Sequence, residues 1–216
     1  GRFAHVLAPD GVHPEEALPV VFALHGCWQF RTERDMACCA AMYREMANQA
    51  HAVVIVPWAK DHTWDFVMTQ GHASGDTAFF TWCLEETRLL HRIDEGRVAI
   101  MGFSDGASFG LSLAVANPDI FEAVLVWAAG FCLPPPLPSA TPVSRPRVFM
   151  WHGVEDQIFD IRSVSLPVRD HLRAAGLEVH YHAEEGGRHV CPQPGSQFCN
   201  AALEFWLAAP RRSSAA

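Results

Sequence analysis

The chain has 216 residues, 50% of them hydrophobic, with 16 basic and 24 acidic side chains and a formal net charge of −8. That length and hydrophobic share suffice for one well-filled core, so a single domain over residues 1–210 and a flexible tail over 211–216 are expected. The acidic balance, with no basic cluster beyond Arg211 and Arg212, argues against a nucleic acid or an anionic membrane surface as partner, since both select a basic face.

At the N-terminus, Gly1 to Val6 carries no signal-peptide h-region, and no later apolar segment approaches the roughly 20 residues that span a bilayer. The chain therefore reads as soluble and intracellular, with the compartment left open by a first residue that is Gly and not Met. Val20 to Leu24 is a short continuous apolar run, the mark of a strand, and from Asp35 to Ala50 the positions Met36, Cys39, Tyr43, Met46 and Ala50 recur at helical intervals. A second run, Ala52 to Val56, precedes a helical segment from Ser74 to Leu90, with Ser74 as its N-cap and Phe80, Cys83, Leu84 and Leu90 on one face. A third, Val98 to Met101, leads into a small-residue helix with Ala107, Leu111, Ala114 and Val115 on its face.

Ala123 to Trp127 is the fourth run, and the stretch from Leu133 to Pro146 holds six prolines, which predicts a rigid surface loop and no helical lid. Val148 to Trp151 is the fifth, followed by a helical face of Val164, Val168, Leu172 and Ala175. Val179 to His182 alternates and reads as an edge strand, and Phe198, Ala202 and Phe205 mark the last helix. Continuous runs imply burial on both faces, the habit of parallel strands. Strand and helix alternating to this length predict a doubly wound α/β sandwich, a mostly parallel central sheet with helices on both faces.

In such a fold ligands meet the carboxyl ends of the strands. The third run ends in Gly102-Phe103-Ser104-Asp105-Gly106, a G-x-S-x-G turn with strand before it and helix after. A serine held on so sharp a turn leaves no room for a β-carbon two positions to either side. A serine hydroxyl is a poor nucleophile until a base takes its proton, and the base needs an acid to orient it. Asp156, in His152-Gly153-Val154-Glu155-Asp156, and His189, after the Gly186-Gly187 turn, follow later strands in the order Ser, Asp, His. Glu155 and Asp160 are the alternatives to Asp156 as the acid.

Leu24-His25-Gly26, Thr63-Trp64-Asp65, the Ser104 turn, His152-Gly153 with Asp156, and Gly186-Gly187 with His189 together extend over nearly the whole chain. On these elements the chain resembles the α/β-hydrolase superfamily, and within it the phospholipase/carboxylesterase group that includes acyl-protein thioesterase-like enzymes. The resemblance implies the α/β-hydrolase fold, a catalytic triad of Ser104, Asp156 and His189, and hydrolysis of small carboxylic esters with no cofactor or metal. It also implies an oxyanion hole formed by the backbone N–H groups of Cys27 and Asp105, with the Asp105 carboxylate turned away, and a loop-shaping role for His25. Thioesterase and lysophospholipase reactions use the same machinery, and a low-turnover ligand receptor on this fold would keep it as well.

Trp28, Trp58, Trp64 and Phe131 follow predicted strand ends and are candidate walls of a pocket for an acyl or aryl group. Of the seven cysteines, most read as reduced and buried; Cys191 and Cys199 flank a Pro/Gly-rich loop and could pair. No Cys-x-x-Cys or His-x-x-x-His spacing is present, so no zinc site is expected.

Overall fold

A computed structural model describes residues 2–27, 33–65, 75–129 and 145–210, without the side chains of 33–37 and 39. Trp28, Phe131, Ser74, most of the proline-rich stretch and the 211–216 tail lie outside these residues. The chain alternates between strands and helices from end to end: β1 (Ala4–Leu7), β2 (Leu18–Leu24), α1 (Glu33–Ala50), β3 (Val53–Pro57), α2 (Gly75–Leu90), β4 (Ile93–Phe103), α3 (Asp105–Ala116), β5 (Ala123–Trp127), β6 (Arg147–Gly153), α4 (Ser165–Ala174), β7 (Val179–Glu184) and α5 (Gln197–Leu207).

The strands form one sheet in the order β1-β3-β2-β4-β5-β6-β7. Only β1 is antiparallel, pairing with β3 at the edge; every other neighbouring pair is parallel. From β2 the chain winds outward to β3, and with β4 it returns to the other side of β2. Adjacent strands β2 and β4 thus flank the point where the winding reverses, and their carboxyl ends, Leu24 and Gly102, are in register. A crevice opens at such a point in an open α/β sheet.

Alternate side chains of each strand feed two cores, as the period of two requires. Val20, Phe22 and Leu24 of β2 face a core closed by α2, α3 and α4 through residues such as Phe80, Phe109 and Leu172. Val21 and Ala23 face the opposite core, closed by α1 and α5 through Met46, Ala202 and Trp206. With both faces covered, β5 is wholly buried. Replacing its Leu125 by Ala would therefore cost about 2–5 kcal/mol, because the removed atoms leave a cavity that the sheet cannot close.

Helix α3 is the most deeply set, with every residue from Gly106 to Val115 buried. Gly110 lets it approach the sheet, since a β-carbon there would already touch Leu24 and Ile100 at 3.3 Å. The hydroxyls of Ser108 and Ser112 satisfy themselves on the carbonyls one turn earlier, at 3.2 and 2.9 Å. At the far end Arg147 bonds Glu122 at 2.8 Å and the carbonyls of Phe205 and Trp206, fastening the end of α5 to the sheet. No helix among the described residues is long and apolar enough to cross a membrane.

The predicted strands and helices all form, with β7 at the edge as its alternation implied. Two segments of strand are additional: β1, and the first half of β4 over Ile93 to Arg97.

Candidate active site

Ser104 stands where β4 turns into α3, with φ 54° and ψ −119°. That conformation is sparsely populated for a residue with a β-carbon and persists only where the surroundings enforce it. Here the enforcement comes from both flanking glycines. A β-carbon on Gly102 would lie 2.5 Å from the Gly106 carbonyl oxygen, and one on Gly106 would lie 2.5 Å from that of His25. The first glycine lets the turn close on itself; the second lets the β2 loop lie against the first turn of α3. The Ser104 N–H donates to the Trp127 carbonyl at 3.0 Å, tying the turn to β5.

His189 reaches this serine from the loop after β7. Its Nε2 lies 3.1 Å from Ser104 Oγ and its Nδ1 2.7 Å from Asp156 Oδ2. The Asp156 side chain is fully buried. Burial alone would raise its pKa, but hydrogen bonds from the Phe159 N–H, His189 and the Ile158 N–H outweigh it and hold the carboxyl below its ordinary value. Among the three candidate acids it is Asp156 that meets the imidazole; Asp160 is bonded to Ser163 instead.

The two loops that bear Asp156 and His189 are joined by backbone. The Val154 N–H donates to the Glu184 carbonyl at 2.9 Å and the Glu155 N–H to the Gly187 carbonyl at 2.8 Å. The His189 ring is held between Phe103 and Phe159, with centroids 4.9 and 5.2 Å away.

The His25–Cys27 loop borders the serine on its other side. A β-carbon on Gly26 would lie 3.3 Å from that of Ser104, so the Gly26 backbone lies close against the serine turn. His25 is locked: its Nδ1 sits 2.9 Å from the Gly26 carbonyl, and its Nε2 accepts the Ala59 N–H at 3.1 Å. Burial pushes this imidazole's pKa down, so it is a neutral ring that shapes the loop. The Asp105 carboxylate accepts the Thr63 hydroxyl at 2.5 Å.

Of the tryptophans expected to line a pocket, Trp58 and Trp64 lie within the described residues, and both are buried. Trp64 has 0% of its surface exposed, stacks on Phe109 with centroids 5.4 Å apart, and donates its Nε1–H to the His25 carbonyl at 2.9 Å. Trp58 is buried between Phe3 and His25. Both rings spend their surface supporting the His25 loop from within, so neither presents a wall to a ligand. Thr63-Trp64-Asp65 works as a brace: Thr63 holds Asp105, Trp64 holds His25, and Asp65 pairs with Arg2 at 2.7 Å.

A different set of apolar side chains lines a cleft of about 320 Å³ beside the His189 loop, namely Trp127, Trp151, Val190, Pro192 and Phe198. Glu184 and Arg188 also border it, and Glu184 accepts the Trp151 indole N–H at 3.2 Å. These residues were legible as apolar but lie on loops and strand ends that carried no motif.

No disulfide joins Cys191 to Cys199. The Cys191 thiol donates to the Pro192 carbonyl at 3.7 Å, while Cys199, on the buried face of α5, has its pKa raised by that burial. Burial pushes the Cys83 thiol up to about 12, which leaves it unreactive. Among the described residues no group of three or more His, Cys, Asp or Glu side chains could hold a metal ion.

The chain resembles known proteins in sequence and in fold. A bifunctional acetylxylan esterase/xylanase of Neocallimastix patriciarum is 26% identical over 167 residues, which are 76% of this chain and 23% of that protein. The chain thus spans about a quarter of that relative's length. Among solved structures, a thermostable esterase superposes with a TM-score of 0.71 at 17% identity, over 95% of this chain and 58% of the other. A ferulic acid esterase from the anaerobic fungus Anaeromyces mucronatus gives 0.68 at 15% identity, over 94% and 84%. Likeness at these identities is a likeness of fold, and that fold is the α/β-hydrolase fold. A model of the PHB depolymerase esterases matches residues 3–134, and one of the phospholipase/carboxylesterase family matches residues 79–207, from α2 through the Ser104 turn, Asp156 and His189 to α5. The chain belongs to the phospholipase/carboxylesterase family.

Proposed function

We propose that the protein is a serine hydrolase of carboxylic esters that works through an acyl-enzyme. The observation that carries this reading is the single imidazole bonded at one nitrogen to Ser104 Oγ and at the other to the buried carboxylate of Asp156. Asp156 keeps the proton of His189 on Nδ1, which leaves the Nε2 lone pair facing the serine hydroxyl. As Ser104 Oγ attacks the ester carbonyl carbon, its proton passes to Nε2. The charge that develops on the carbonyl oxygen is received by the Cys27 and Asp105 amides. The C–O bond then breaks and the alcohol leaves with the proton from Nε2. Water, deprotonated by His189, releases the acid and restores the serine.

Holding the Asp105 carboxylate on Thr63 supports this, because it keeps a negative side chain from the place where an oxyanion would form. The apolar cleft beside His189 suits the hydrophobic part of an ester. Similarity to an acetylxylan esterase favours a short acyl group, acetyl above all, over a long chain. The test is turnover of a short-chain aryl ester by the protein and by Ser104→Ala. The variant is expected to lose all measurable activity, and unchanged turnover would refute the assignment. A panel of acyl lengths on oxygen and sulfur esters then separates esterase from thioesterase use.

A further inference from the structure

Asp156 has a second histidine. Its Oδ1 accepts the N–H groups of Ile158 and Phe159, both at 2.8 Å, while Oδ2, which bonds His189 at 2.7 Å, also lies 3.2 Å from Nε2 of His152. His152 leaves β6 one residue before Gly153 and is 1% exposed. The same Nε2 is 2.9 Å from the Phe159 carbonyl oxygen. One nitrogen between two oxygen acceptors must carry the proton, so the tautomer is set by its partners. The other ring nitrogen, Nδ1, is buried without a hydrogen-bond partner among the described residues. A second proton would have nowhere to go, and the ring is neutral.

We infer that His152 is a positioning residue for the reaction, holding the Asp156 carboxylate in the one orientation that meets His189. The inference rests on the triad assignment made above. Three donors grip the carboxylate, the Ile158 and Phe159 N–H groups on Oδ1 and His189 on Oδ2, while the His152 N–H is directed at the Phe159 carbonyl and lies 3.2 Å from Oδ2. Rotating the carboxylate would break all three. From β6 the His152 side chain reaches up to hold the Phe159 carbonyl beside Asp156. That tie closes the loop from Asp156 to Phe159, and Phe159 is one of the two rings that hold His189. Because His152 is neutral it lies 3.2 Å from Asp156 without adding a positive charge that would cancel the carboxylate's hold on the His189 proton. The charged or titratable groups that face it are Asp156 and Asp160 on its own loop and His189 from the loop after β7.

The experiment compares His152→Phe, which fills the space without a donor, with His152→Gln, whose amide can reach the Nε2 position. kcat and KM for a short-chain aryl ester are measured across pH, with Ser104→Ala as the control for the underlying assignment. His152→Phe should lower kcat about 10- to 100-fold with KM within about twofold, as expected when a catalytic group is misplaced while substrate binding is untouched. Its acid limb in kcat/KM should move to higher pH, because a carboxylate no longer faced by the His152 N–H dipole holds the His189 proton more tightly. His152→Gln should recover most of the rate and return the limb. Should the Phe variant fail to fold, His152→Asn takes its place, since its shorter amide keeps the polarity but falls short of the Phe159 carbonyl. Equal losses in the donor and non-donor variants, no loss in either, or an unmoved limb would overturn the inference. Turnover that survives in Ser104→Ala would instead overturn the triad assignment on which it stands.

Discussion

A β-carbon on Gly153 would lie 2.3 Å from the carbonyl oxygen of Gly187, so the loop that carries Asp156 and the loop that carries His189 touch backbone to backbone. Neither side of that contact can yield by turning a side chain. Gly153→Ala is therefore expected to destabilise the protein by about 1–3 kcal/mol and to lower kcat by moving these two loops apart. Gly186, with φ +72° and open space around it, is the comparison: alanine there strains only the local backbone and should leave kcat near wild type. Thermal unfolding and ester turnover of the two variants check this, and equal effects would contradict it.

The backbone at Ser104 predicts an effect on stability separate from catalysis. With φ 54° and ψ −119°, a β-carbon at this position costs about 1–3 kcal/mol of strain. Glycine would relieve it while losing about 0.5–1 kcal/mol of unfolded-state entropy. Ser104→Gly should thus be inactive yet melt at or above Ser104→Ala, which keeps the strain. A clearly lower melting temperature for the glycine variant would show that the turn is not strained.

Only main-chain donors are assigned to the oxyanion, so the Cys27 side chain should be dispensable. Cys27→Ala is expected to keep kcat within a few-fold of wild type. Cys27→Pro removes the N–H and should cost about 100- to 1,000-fold in kcat. Steady-state kinetics on both variants decide the matter: loss in the alanine variant would give the thiol a role, and full activity in the proline variant would remove the amide from the mechanism.

Stability should decline on the acid side in two stages. Burial holds the His25 and His152 imidazoles below their ordinary pKa, so between about pH 6.5 and their folded values the unfolded chain takes up protons that the folded chain does not. Their contribution is complete above about pH 6.5 and is lost as pH falls, at up to about 1.4 kcal/mol per pH unit for each proton. Asp156 is also depressed, burial notwithstanding, through the hydrogen bonds of Phe159, His189 and Ile158; its contribution is complete above about pH 4 and is lost as pH falls through its folded value. Denaturant unfolding from pH 7.5 to 4.5 should show the first decline, with a shallower slope for His152→Gln. An unchanged slope in that variant would contradict the neutral state assigned to His152.

Much of this was legible in the sequence because the central strands are buried on both faces, and a run such as Val98 to Met101 has no other use for so many apolar side chains. The same logic hides β1, where Ala4 to Leu7 is short, half-buried and paired on one side only. It also hides the start of β4, where Asp94, Glu95 and Arg97 look like a turn. That Ser104, Asp156 and His189 would meet could be anticipated because chain order and strand ends constrain them. The roles of Trp58 and Trp64 could not: an aromatic after a strand end packs inward or lines a pocket according to neighbours remote in sequence, here Phe3 and Phe109. His152 was passed over for a similar reason. Its place before Gly153 marks a turn, and only the folded loop brings its Nε2 to Asp156.

The proposed reaction depends above all on Ser104 being an activated nucleophile. Reaction with a fluorophosphonate, followed by intact mass and peptide mapping, tests this directly. One adduct per chain is predicted, on the peptide containing Ser104, formed in step with loss of ester turnover. Turnover that survives complete labelling, or an adduct elsewhere with Ser104 unmodified, would contradict it.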